Sequence, residues 1–96
     1  MPHYVLIGRD GPRGAELRLQ HRPAHIEGME ALYSEGRVLF GGPLLDEAGV
    51  PHGSVIVFEA ADLAEARRIA ERDPYVAEGV FAEHEVHATH VVFPHD

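Results

Sequence analysis

Eight histidines in 96 residues pose the first chemical question, which is whether they bind a metal, move a proton or do neither. His21 and His25 lie four residues apart in HRPAHIEGM, a spacing that puts two imidazoles on one face of a helix. The zinc helix H-E-x-x-H places glutamate directly after its first histidine. Here that position is Arg22, and a guanidinium beside a dication is unfavourable unless an anion intervenes. Pro23 argues further against one regular helix carrying both rings. His84, His87 and His90 recur every third residue, but on a strand positions 84 and 90 face one way and 87 the other. His3, His52 and His95 read as surface residues. The absence of cysteine removes thiolate ligands, disulfides and thiol nucleophiles. No metal or other cofactor is expected.

The second chemistry needs one histidine, acting as acid or base beside a carboxylate. His25 falls in the first turns of a helix expected from Pro23 to about Glu35, next to its apolar stripe. Asp73 ends a second helix where Pro74 turns the chain. Two helices side by side on one sheet face would bring these positions together at one end of the domain. A carboxylate on one ring nitrogen fixes the tautomer and leaves the other nitrogen free for proton transfer. The alternative is a partly buried packing histidine and an aspartate that merely caps a turn, and residue types alone leave both open. Tyr33 and Tyr75 could line a pocket or fill the core. Ser54 follows Gly53 without the G-x-S-x-G pattern of a nucleophile elbow. GRDGPRG, from Gly8 to Gly14, lacks dinucleotide and P-loop spacings and reads as a turn.

Those residues must be held by the surrounding elements. HYVLIG (His3 to Gly8) reads as a buried strand followed by the breakers Gly11, Pro12 and Gly14. A helical lead-in begins at Ala15 and breaks near Arg22. The next helix carries Ile26, Met29, Leu32 and Tyr33 inward and ends at Gly36. RVLFGGPLL, from Arg37, reads as a strand with Val38 and Phe40 on one face and Leu39 on the other. Gly41, Gly42 and Pro43 then force a bulge or turn. A loop covers Asp46 to Gly53, and Ser54 to Ala60 is a third strand. Asp62 and Glu65 open a helix with Leu63, Ala66, Ile69 and Ala70 inward. Pro74 ends it, and a last strand runs from His84 to Phe93. The order is that of a ferredoxin-like βαββαβ domain, an α+β fold with an antiparallel sheet and both helices on one face. One domain spans residues 1–96. The bare second face predicts a homodimer.

Charge and hydropathy narrow the partners. The chain carries 16 acidic and 8 basic residues, a formal charge of −8, with arginine as every basic residue. Nucleic acid, which needs a basic patch, is not an expected partner. No run resembles a signal peptide or a membrane span, so a cytoplasmic, membrane-free protein is expected.

RPAH (Arg22 to His25), EGRVLFGGPL (from Glu35), GSVIVFEA (Gly53 to Ala60) and DPYVAEGVF (Asp73 to Phe81) together resemble the YciI-like family over nearly the whole chain. The resemblance implies a dimeric α+β barrel of ferredoxin-like subunits and a histidine–aspartate dyad. Its histidine falls on His25 and its aspartate on Asp73. Arg22 matches the arginine of the first motif, Gly42 and Pro43 the glycine-proline after the second strand, and Ser54 the small residue opening the third. His21 has no counterpart in the pattern. Some members look like dehydrochlorinases of chlorinated hydroxyhydroquinones, which implies elimination or isomerisation chemistry.

The expected function is a cofactor-independent lyase or isomerase of a small molecule. His25 would be the acid or base, Asp73 its orienting partner, and Arg22, Ser54, Tyr75 and Pro43 would line the substrate pocket. The alternative is a non-catalytic domain of the same fold that binds a small ligand or a partner chain.

Overall fold

The computed structural model describes residues 1–94; His95 lies outside the described residues. The elements are β1 (His3–Asp10), α1 (Gly14–Ser34), β2 (Val38–Leu45), β3 (Pro51–Glu59), α2 (Leu63–Arg72), α3 (Pro74–Ala77) and β4 (Phe81–Thr89). The sheet order is β2-β3-β1-β4, with every neighbouring pair antiparallel. This is the ferredoxin-like α+β arrangement read from the sequence.

Period-two alternation sorts the side chains of β1 and β3. Tyr4, Leu6, Ile56 and Phe58 point to the helical side and are buried there with Ala66 and Ala70 of α2. The two alanines let α2 lie close to the sheet, and Leu63 and Ile69 complete its contact. Asp62 caps this helix by accepting the Glu65 N–H at 2.8 Å, while the Glu65 carboxylate reaches back to Ala61 N–H at 2.9 Å. A second cluster joins Tyr75, Val80 and Phe81 at the other end. There the Phe81 ring lies directly over Gly8, where a Cβ would come within 2.4 Å of it. On the opposite sheet face Val5, Ile7, Val55 and Val57 are half-buried, and Phe40 is 57% exposed.

Several expectations are corrected. The break near Arg22 does not exist, because α1 runs unbroken through Pro23. Proline denies one N–H to the Leu19 carbonyl, but side chains on both sides of it are tied to other elements, which hold the helix together. Of the expected α1 stripe, Met29 and Leu32 face inward, whereas Tyr33 is 68% exposed. β2 continues through Gly41, Gly42 and Pro43 because it is an edge strand, where proline needs no ladder partner. Its bulges fall between Val38 and Phe40 and between Leu44 and Leu45. The first of these sets Val38 opposite Phe58 and Phe40 opposite Val57, so the two side chains face opposite ways. The third strand begins earlier than expected, at Pro51, and the fourth spans Phe81–Thr89. His90 therefore lies beyond β4, stacked on His3 with centroids 5.3 Å apart. His3 is no simple surface residue, since its Nδ1 accepts the Val91 N–H at 2.9 Å.

α1 rests lightly on the sheet. Its only buried residue is Gly14, and Leu19 is 80% exposed. Gly36, at φ +73°, ends it in a Schellman turn, with Gly36 N–H on the Tyr33 carbonyl and Arg37 N–H on the Leu32 carbonyl. The shallow seating leaves space under α1. Among the described residues no helix is long and apolar enough to cross a membrane.

Candidate active site

Because α1 is continuous, Arg18, Arg22 and His25 fall at i, i+4 and i+7 and share one helical face. His25 meets Asp73 at the end of this face. Its Nδ1 lies 2.8 Å from Asp73 Oδ1 and 3.0 Å from Oδ2, and the two side chains are only 12% and 11% exposed. An ionised carboxylate only accepts, so Nδ1 carries the proton and Nε2 is the basic nitrogen. Nε2 has no protein partner among the described residues.

Asp73 is itself fixed by local structure. Pro74 forces it into extended geometry, φ −64° and ψ 126°, so that it becomes the N-cap of α3. Its Oδ1 accepts the Tyr75 N–H at 2.9 Å. The expectation that this segment only stops α2 is thus refined, because the stop is also the start of a helical turn. That turn lays the Tyr75 ring parallel to the His25 imidazole, with centroids 3.9 Å apart and 5° between planes. Hydrogen bond and stack leave the imidazole little freedom to rotate.

A second buried pair stands beside the first. Arg18 donates to Asp10 from Nε at 2.6 Å and from Nη2 at 2.9 Å, a two-pronged geometry specific to arginine. Nη2 also donates to Ser54 Oγ at 3.0 Å. The guanidinium carbon lies 5.0 Å from the Tyr75 centroid and 5.8 Å from that of Phe81, within cation–π range. Burial pushes the Tyr75 phenol above its ordinary range, against the opposing pull of Arg18 and Arg22. Sequence reasoning missed Arg18 and Asp10. The signal for Arg18 was its helical spacing to Arg22 and His25, hidden by the supposed break at Pro23. Nothing local marks Asp10.

The expected pocket residues are brought together. Arg22, Ser54, Tyr75 and Pro43 line a cleft of about 450 Å³ under α1, and His25 forms part of its wall. Leu19, Ile26, Met29, Val50 and Pro51 make its apolar surface. Arg22 has no ion-pair partner among the described residues, so it supplies the cleft's uncompensated charge. His25 and Asp73 also border an apolar groove of about 290 Å³ between α1 and α2. Tyr33 does not reach the cleft. His21 does share the regular helix with His25, contrary to expectation, but Nδ1 of His25 is engaged by Asp73. Among the described residues no three His, Asp or Glu side chains converge.

The comparisons with known proteins agree with this architecture. The sequence matches the YCII-related domain over residues 2–89. It is 37% identical over 84 residues to protein YciI of Escherichia coli O6:H1, covering 81% of this chain and 86% of that one. The fold superposes with TM-score 0.80 on the 5-chloro-2-hydroxyhydroquinone dehydrochlorinase TftG of Burkholderia phenoliruptrix, solved with 2,5-dihydroxybenzoquinone, at 25% identity over 92% of this chain and 93% of that one. An antibiotic biosynthesis monooxygenase shares the fold alone, at TM-score 0.57 and 17% identity over 96% and 99% of the two chains. Sequence match and shared fold together make this chain a member of the YCII-related domain family.

Proposed function

We propose that this chain is a small-molecule lyase or isomerase that works by proton transfer at His25 Nε2. The observation that carries the proposal is the imidazole clamped between the Asp73 carboxylate and the Tyr75 ring, in a residue that lines the cleft and whose second nitrogen has no partner among the described residues. The base takes a proton from a hydroxyl or an acidified carbon of the substrate. The electron pair left behind forms a new double bond. Either a leaving group then departs with its own electron pair, as chloride does in dehydrochlorination, or the proton returns at a conjugate position, which is isomerisation. Asp73 holds the tautomer and stabilises the imidazolium that forms, as the aspartate of a catalytic triad does. Arg22 is placed to hold an anionic group of the substrate. Such acid–base catalysis contributes about 10²–10⁴-fold.

The dehydrochlorinase of similar fold supports this class of reaction, and its bound quinone makes a planar, oxygenated ring a reasonable first ligand to test. We also propose that a second copy of the chain covers the open sheet face. The test is chloride release and formation of a quinoid chromophore from chlorinated hydroxyhydroquinones. His25→Ala is expected to abolish turnover while circular dichroism stays native. Undiminished turnover by that variant would sink the mechanism. Recovery of every bound candidate unchanged, with wild-type protein, would favour a binding domain instead.

A further inference from the structure

Arg18 decides which way the Ser54 hydroxyl can act. A guanidinium donates hydrogen bonds and cannot accept them, so at the 3.0 Å contact with Arg18 Nη2 the Ser54 oxygen is the acceptor. Arg18 cannot swing aside, because Asp10 grips it through two hydrogen bonds and two aromatic rings lie against it. Ser54 is buried, 5% exposed, and its hydroxyl proton meets no acceptor among the described residues. A serine carries only one such proton. The side chain lines the same cleft as His25.

We propose that Ser54 is a preset hydrogen-bond donor aimed into the cleft and that Arg18 is the positioning residue enforcing that role. This rests on reading the cleft as a small-molecule site and deepens it by naming the ligand class. The ligand presents a carbonyl, enolate or phenolate oxygen to Ser54 while its acidic proton faces His25. The guanidinium behind the hydroxyl polarises it, so the bond strengthens as negative charge grows on the ligand oxygen. Donors placed where charge develops are a main source of rate enhancement in reactions of this type.

The test uses 2,5-dihydroxybenzoquinone as probe, with affinity read by titration and the carbonyl stretch of the bound probe by infrared difference spectroscopy. Wild-type protein is expected to lower that stretch relative to the free probe. Ser54→Ala removes the donor while Asp10 still holds Arg18, so affinity should fall about ten- to hundredfold and the stretch should return toward its free value. Ser54→Thr should restore both. Arg18→Gln alone would strand the Asp10 carboxylate, so Asp10→Asn/Arg18→Gln is the second variant. Its amide oxygen can accept from Ser54, which should turn the hydroxyl inward and abolish the shift with Ser54 still present. His25→Ala should keep the shifted stretch while losing turnover, which separates this inference from the proposed proton chemistry. An unshifted stretch in wild-type protein, an identical stretch or affinity in Ser54→Ala, or no binding of the probe by wild-type protein overturns the proposal.

Discussion

Replacing Asp73 by asparagine tests the tautomer directly, without needing a substrate. Asp73 has two jobs, which the variant separates. Its Oδ1 caps α3 through Tyr75 N–H at 2.9 Å, and both oxygens accept from His25 Nδ1 at 2.8 and 3.0 Å. Asparagine keeps an oxygen for the cap, so the loss of about 0.5–2 kcal/mol that alanine would cause there is largely avoided. It also puts an NH₂ where Oδ2 stood, 3.0 Å from Nδ1. An N–H at the Oδ2 position repels a proton on Nδ1 and donates well to the bare nitrogen, so the tautomer protonated on Nε2 is favoured although the neutral Oδ1 at 2.8 Å can still accept. The carboxylate bond being lost is charge-assisted and worth about 1.5–3 kcal/mol, which tips the tautomer ratio by roughly ten- to a hundredfold. The proton then sits on Nε2, which can no longer act as the base. Long-range ¹H–¹⁵N correlation of the imidazole should show Nδ1–H in wild-type protein and Nε2–H in Asp73→Asn. Turnover should fall by about 10²–10⁴-fold, with a native circular dichroism spectrum and a melting temperature lower by roughly 4–8 °C for each kcal/mol of bond energy that the neutral amide does not replace. A variant that kept Nδ1–H, or kept full activity after losing it, would refute the dyad reasoning.

Three further predictions follow from the same geometry. Tyr75 should titrate above the usual tyrosine value of about 10, because burial raises it; ultraviolet difference titration against Tyr75→Phe reads this. The sign follows from linkage: the unfolded chain loses this proton first. Stability is thus unaffected by Tyr75 below about pH 10 and falls as pH rises between the unfolded and folded values, a loss that Tyr75→Phe should abolish in denaturant melts. Pro23→Ala should stabilise α1 by up to about 3 kcal/mol, seen as a higher denaturation midpoint; no gain would mean that the proline sits there without strain. Gly8→Ala should destabilise by about 1–3 kcal/mol, since its Cβ would lie 2.4 Å from the Phe81 ring, and thermal unfolding measures it.

The elements were legible where periodicity is strong and local. Alternation over β1 and β3 and the capped amphipathic pattern of α2 each follow from side chains that must leave water on one side. The errors fell where tertiary contacts override a local rule. Pro23 predicts a break, but α1 is held by Arg18 on Asp10 and by His25 on Asp73. Glycine and proline in β2 predict an interruption, but an edge strand tolerates them. Phe40 was assigned to the wrong face because a bulge beside Val38 shifts the alternation by one residue.

The sequence by itself determined the order of elements, the bare sheet face and the residues able to carry acid–base chemistry. It marked His25 and Asp73 as candidates because a histidine beside an apolar stripe and an aspartate before proline each have few roles. Only the tertiary structure decided that they meet, since 48 residues separate them and no local interaction encodes their distance. It alone also placed Asp10 beneath Arg18. A buried guanidinium needs a carboxylate and directed acceptors to offset its lost hydration, and which residues supply them depends on how strand and helix pack.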